Sequence, residues 1–205
     1  KNIFKKTKSS IKLKKNLYVS RSEFLKKLLI KIKKKTNLVS TTGYTSRELL
    51  QIRNDLNLKN GKDFYMVGGM GHSSILASGY AMAKKSRDVI CIDGDGSLLM
   101  HLGSLLTNAR LKNKNFKHIL LNNFSHQSVG GQKTFIENIN LKGLVKSLGY
   151  KKFFSLQNIK KIDVTISNFL KCKGSVFLEV KINPLTLKNL IRPKNLKLIK
   201  KQFVS

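Results

Sequence analysis

Asp95 and Asn123 are the residues of this chain whose type and setting could do chemistry. Asp95 sits in Gly94-Asp95-Gly96-Ser97 at the end of the apolar run Val89 to Ile92. Asn123 closes a second apolar run that ends Leu120-Leu121-Asn122-Asn123, and 25 residues lie between Gly96 and Asn122. That interval suits a helix and a return strand in a parallel βαβ unit. Both polar clusters then fall at the carboxyl ends of neighbouring strands, where open α/β sheets bind ligands. A strand-end carboxylate out of water needs a partner to offset its desolvation, and a divalent cation supplies one. Asn123 adds a neutral carbonyl oxygen, and the backbone carbonyl of Ser125 completes a face of three hard oxygens. Mg²⁺ prefers such incomplete protein shells, finished by diphosphate oxygens and water. Gly96 and Ser97 would turn backbone N–H groups towards the diphosphate. The plainer alternative is a strand-to-helix turn with Asp95 as a helix cap.

The elements that must position these groups are legible in order. Ser20-Arg21-Ser22-Glu23 is a capping box, and Phe24, Leu25, Leu28, Leu29 and Ile32 follow at helical spacing. Asn37 to Thr41 reads as a short strand, Thr42-Gly43 as a turn, and Thr45 to Arg53 as a second helix. Asp63 to Val67 is a strand that ends in Gly68-Gly69-Met70-Gly71-His72-Ser73-Ser74, followed by a helix of small residues from Ile75 to Lys84. Three glycines permit close backbone approach to a ligand or simply bend the chain. Asp88 to Asp93 and Lys117 to Asn122 have the near-continuous apolar character of strands buried on both faces. Leu98 to Arg110 reads as one helix, residues 124–138 as a polar loop, and Leu141 to Leu148 and Asn158 to Leu170 as helices. Ser175 to Ile182 is the last strand. Strands alternating with helices at this rhythm predict an α/β fold with a doubly wound, mainly parallel sheet flanked by helices. The expected division is a basic linker over 1–18, the domain over 19–193 and a basic tail over 194–205.

Composition bounds the partners. A chain of 205 residues with 40% hydrophobic content can bury one full core. The net charge of +31 invites a nucleic-acid or membrane-surface reading. The lysines are spread along the whole chain with no aromatic-interleaved pattern, so the expectation is a solvated basic surface that steers small anions, with no nucleic-acid and no membrane partner. No apolar run has the length of a membrane-spanning helix. Cys91 and Cys172 form no metal-ligand or disulfide spacing, which points to a reducing compartment and a cytoplasmic location. The first residue is Lys, which reads as a fragment or a processed product.

Several separated stretches share a resemblance. Gly94 to Ser97 together with Asn122-Asn123 resembles the thiamine diphosphate motif of the decarboxylase superfamily. Ser40 to Leu49, Gly69 to Ser74, Leu99 to Gly103 and His126 to Gln132 resemble the phosphonopyruvate decarboxylase family, with the sulfopyruvate decarboxylases close by; the similarity spans about residues 20–193. The resemblance implies thiamine diphosphate and Mg²⁺ as cofactors, with Asp95, Asn123 and the Ser125 carbonyl on the metal and Gly96 and Ser97 on the diphosphate. It places Thr42 and Gly68 near the cofactor and Met70 against the bend between its two rings. Phe124 departs from the pattern, since relatives often carry glycine there.

His72 and His126 each follow a ligand-binding turn and are the candidates for substrate contact or proton transfer. Ser128 and Gln132 could hydrogen-bond a phosphonate or carboxylate. His101 reads as packing, and His118 has no assigned role. The superfamily activates its cofactor with a Glu from a separate pyrimidine-binding domain. Glu23, Glu48, Glu137 and Glu179 do not match that role. The implied partners are a small anionic 2-oxo acid and a pyrimidine-binding domain or subunit, in a homo- or hetero-oligomer. The activity so implied is decarboxylation of 3-phosphonopyruvate. Sulfopyruvate or another 2-oxo acid, or a non-catalytic basic binding or regulatory module, are the alternatives.

Overall fold

A computed structural model of the chain describes residues 18–58 and 62–205. Six strands form one sheet: β1 (Asn37–Ser40), β2 (Lys62–Tyr65), β3 (Val89–Gly94), β4 (Phe116–Asn122), β5 (Lys152–Leu156) and β6 (Val176–Lys181). Their order is β2-β1-β3-β4-β6-β5, and every pair is parallel. β3 and β4 are buried along nearly their whole length, as their mostly apolar sequence favours when helices cover both faces.

The helices are α1 (Arg21–Lys31), α2 (Tyr44–Asp55), α3 (Ser73–Ala83), α4 (Asp95–Met100), α5 (Ser104–Arg110), α6 (Leu141–Ser147), α7 (Ile162–Lys171) and α8 (Leu196–Val204). Phe24, Leu28, Leu49, Ile52, Ile166 and Phe169 bring α1, α2 and α7 onto one face of the sheet. Ala77, Ala81, Leu98, Leu105, Val145 and Phe203 bring α3 to α6 and α8 onto the other. The expected doubly wound parallel sheet is present. Ser20 caps α1 as its sequence predicts, its hydroxyl accepting from the Glu23 N–H at 3.1 Å.

Three details differ from the sequence reading. The helix expected over Leu98 to Arg110 is two helices, broken at His101, whose φ of −140° and ψ of 46° leave the helical region. β5 lies at the sheet edge, where its Lys-Phe-Phe-Ser-Leu sequence buries only Leu156 fully, so it lacks the apolar run that marks β3. The tail ends in α8, whose Phe203 ring packs 4.3 Å from Tyr80 and 5.4 Å from Phe64. The linker expected over 1–18 lies outside the described residues apart from Tyr18. Among the described residues no helix is long and apolar enough to cross a membrane.

Candidate functional site

The strand order reverses between β1 and β3: β2 lies outside β1, and the chain then returns to place β3 on the other side. Crevices at such a switch point are where open parallel sheets bind ligands. A cleft opens there at the carboxyl ends of β1, β3 and β4, lined by Thr41, Thr42, Asp95, Ser97, Asn123 and His126 among others. The βαβ spacing read from the sequence brings Asp95 and Asn123 together because β3 and β4 are in direct register, Gly94 opposite Leu121.

Asp95 is 2% exposed. Burial pushes its carboxyl above the ordinary range, while the Thr134 hydroxyl and the N–H groups of Asp95, Gly96 and Ser125 pull it back. The Thr134 hydroxyl donates to Oδ2 at 2.7 Å. Asn123 Oδ1 accepts from the Ser125 N–H at 3.3 Å. Both side chains line the one cleft at the ends of the adjacent strands β3 and β4. Two hard oxygen donors, one a desolvated carboxylate, fit a hard divalent cation.

Ser97 is tied into the same corner. Its Oγ accepts from Thr41 Oγ1 at 2.8 Å and from the Gly71 N–H at 3.0 Å. This fastens the start of α4 to the end of β1 and to the glycine turn before α3. Gly96 carries a close approach: a Cβ there would lie 2.3 Å from His126 Nδ1, so the imidazole rests directly over that backbone.

The cleft gathers Thr42, Met70, Gly96, Ser97, Asp95, Asn123, Ser125, His126 and Ser128. Gly68, His72 and Gln132 are not on its wall. Gly68 is exposed with φ +77°. His72 is exposed, its Nδ1 3.1 Å from the Met70 carbonyl and its ring 4.9 Å from that of His101. Gln132 is exposed and packs on Gly130.

Arg21, Tyr44 and Gln127 line the cleft without having been assigned a role. Arg21 reads as an ordinary first-turn residue of a capping box, and only tertiary packing of α1 beside α2 turns it inward. Thr134 also escapes the sequence, because its contact depends on the bridge between Ser125 and Lys133 that folds the polar loop back on itself. A separate group of metal-ligand residue types, Cys91, Asp93 and His118, lies wholly in the core. His118 Nε2 stands 3.6 Å from Asp93 Oδ2, with the Tyr150 hydroxyl 3.3 Å from Nδ1. Phe116 and Phe177 flank the ring, and none of Cys91, Asp93 and His118 lines the cleft.

Residues 42–180 match the thiamine pyrophosphate enzyme family, at its C-terminal TPP-binding domain. The chain belongs to that family. The match begins at Thr42 and encloses Asp95, Asn123 and the loop that carries His126. A phosphonopyruvate decarboxylase from Streptomyces hygroscopicus is 35% identical over 170 residues, 83% of this chain and 41% of that protein. A sulfopyruvate decarboxylase subunit beta from Methanocaldococcus jannaschii is 34% identical over 160 residues, 77% of this chain and 82% of that subunit. The chain thus spans less than half of the first relative and most of the second. A solved Mycobacterium smegmatis protein assigned to the thiamin diphosphate-dependent enzymes shares the fold, with a TM-score of 0.63 at 18% identity, over 82% of this chain and 32% of that one. This TPP-binding domain places its cleft at the sheet's switch point, as the topology alone requires.

Proposed function

We propose that this chain is the diphosphate- and Mg²⁺-binding half of a thiamine diphosphate-dependent 2-oxo acid decarboxylase acting on 3-phosphonopyruvate, with phosphonoacetaldehyde and CO2 as products. The observation that carries the reading is the meeting of Asp95 and Asn123 on one cleft at the ends of the adjacent strands β3 and β4. Asp95, Asn123 and the Ser125 carbonyl would hold the metal, and the Gly96 and Ser97 N–H groups the diphosphate. Thr42 and Met70 line the same cleft and would contact the cofactor, with Gly68 at its outer turn. Thiamine diphosphate, when bound, supplies the carbanion-stabilising chemistry that decarboxylation needs.

The chain's own groups would do the rest. His126, which rests over Gly96, would hold or pass a proton. Ser128 lines the cleft wall and would hydrogen-bond the anionic end of the substrate. His72 and Gln132 stand further out and would act at the rim, where a second domain closes.

Two observations support a partner. The enclosed space of the cleft is about 60 Å³, far below the roughly 300 Å³ and more of a complete small-molecule site. Its wall carries no glutamate among the described residues; Glu48 is committed to Arg21 and Glu179 to Asn122. A pyrimidine-binding domain or subunit would supply both the missing wall and the activating carboxylate. The 82% coverage of a beta subunit favours a hetero-oligomer, and it gives sulfopyruvate a specific claim as the alternative substrate.

The test uses the assembled protein. Isothermal titration of thiamine diphosphate with Mg²⁺ should show binding that Asp95→Ala abolishes; undiminished affinity in that variant would remove the metal assignment. Turnover of 3-phosphonopyruvate against 3-sulfopyruvate then separates the two substrates. Tight nucleic-acid binding at physiological salt with no cofactor binding would instead favour the non-catalytic basic module.

A further inference from the structure

The Gln127 side chain is held from three directions. Its Nε2 donates to the Pro184 carbonyl, a group that can only accept, so the amide cannot be turned over. Oε1 therefore faces inward and accepts from Arg21 Nη2 at 2.9 Å and from Asn123 Nδ2 at 2.9 Å. Arg21 is itself clamped, its Nη1 donating at 2.9 Å to Glu48, whose side chain is fully buried. With Nδ2 committed to Gln127, Asn123 has only its carbonyl oxygen to present to the Ser125 N–H and to the cleft that Asp95 also lines.

We infer that Gln127, braced by Arg21, is a positioning residue that sets the amide orientation of Asn123 and so presents an oxygen, not an NH2 group, to the metal. This rests on the metal reading given above. An amide has one ligating face, and the wrong face offers a proton where the cation needs a lone pair. Partners of this kind behind a metal ligand are worth about 10- to 100-fold in metal affinity.

A double-mutant cycle on the assembled protein with thiamine diphosphate tests it, with Mn²⁺ affinity read by electron paramagnetic resonance. Gln127→Leu leaves the Asn123 amide held only by the long 3.3 Å contact from the Ser125 N–H and should weaken Mn²⁺ about 10-fold. In the Asn123→Asp background Gln127→Leu should cost nothing further, because a carboxylate offers an oxygen whichever way it turns. Gln127→Glu keeps both acceptor contacts and should hold Mn²⁺ more tightly than Gln127→Leu does. It also serves if the leucine variant fails to fold, since a glutamate that binds as poorly as no acceptor at all would overturn the inference. Equal losses in the Asn123 and Asn123→Asp backgrounds would show a general structural effect and overturn it. So would wild-type affinity in Gln127→Leu. A wild-type protein that binds no Mn²⁺ would instead bring down the metal reading itself, and this inference with it.

Discussion

Phe124 stands in the left-handed backbone region at φ +60°, one residue after the proposed metal ligand Asn123. It occupies the position where the sequence pattern favours glycine, and the turn explains that preference, since only glycine adopts such a φ without strain. Strain at a non-glycine residue there costs about 1–2 kcal/mol. The ring repays it: Phe124 is 8% exposed within the second core and has Lys181 Nζ 5.8 Å above its face. Truncating a buried phenylalanine costs about 3–5 kcal/mol, so packing wins. Phe124→Gly should therefore destabilise the protein by about 2 kcal/mol in urea unfolding; a stabilised variant would show that strain dominates. Glu48 makes a second residue-scale case. Burial raises its carboxyl above the usual value, and the Arg21 guanidinium and its hydrogen bond only partly offset this. The folded state thus holds the Glu48 proton to higher pH than the unfolded chain does. Its contribution to stability falls as pH rises from about 4.5 through the raised folded value, then stays flat. The difference in unfolding free energy between wild type and Glu48→Gln should follow that course. A difference that grows with pH would mean Arg21 outweighs burial.

Among the elements, α8 shows how a basic tail earns a place in the fold. Leu196, Leu198, Ile199 and Phe203 recur at helical intervals among lysines, and Phe203 fits between Phe64 and Tyr80. Its carbonyl accepts from the Tyr80 hydroxyl at 2.9 Å and from Asn37 Nδ2 at 3.0 Å, which fastens the helix across the β2 edge. Phe203→Ala should cost about 3 kcal/mol in thermal or urea unfolding; a cost within experimental error would make α8 an ornament. The strands β3 and β4 were readable from the sequence because they are buried on both faces and therefore mostly apolar, and β6 from its alternation and β-branched residues. β5 was not, since an edge strand with exposed positions has neither an apolar run nor clean alternation. The ends of β3 and β4 were readable because ligand chemistry breaks an apolar pattern with Asp and Asn. Arg21 and Thr134 were not, because each meets its partner in the site across a long stretch of sequence, and local pattern holds no record of such meetings; Gln127 lies near Asn123 in sequence, but its role depends on Arg21.

At the scale of the whole molecule the question is what +31 charges do. Ten acidic residues stand against 41 Lys and Arg, and among the described residues the acids Glu48 and Asp63 are taken up in the buried pairs Arg21–Glu48 and Arg53–Asp63, with Asp163 at the surface against Lys27. The field around the chain is therefore strongly positive, and both the diphosphate and a phosphonate- or sulfonate-bearing 2-oxo acid are anions. Long-range attraction raises encounter rates with anions by about 10- to 1,000-fold and is screened over about 10 Å at 0.1 M salt. The association rate of Mg²⁺–thiamine diphosphate with the assembled protein should fall steeply between 20 mM and 300 mM salt, by about tenfold in stopped-flow measurements. The dissociation rate should change far less, because Asp95, Asn123 and Ser97 sit at 2% to 5% exposure and are shielded from the salt. An association rate indifferent to salt would show that the partner's acidic surface, or mutual cancellation, has neutralised the field at the cleft. The lysines would then serve solubility alone.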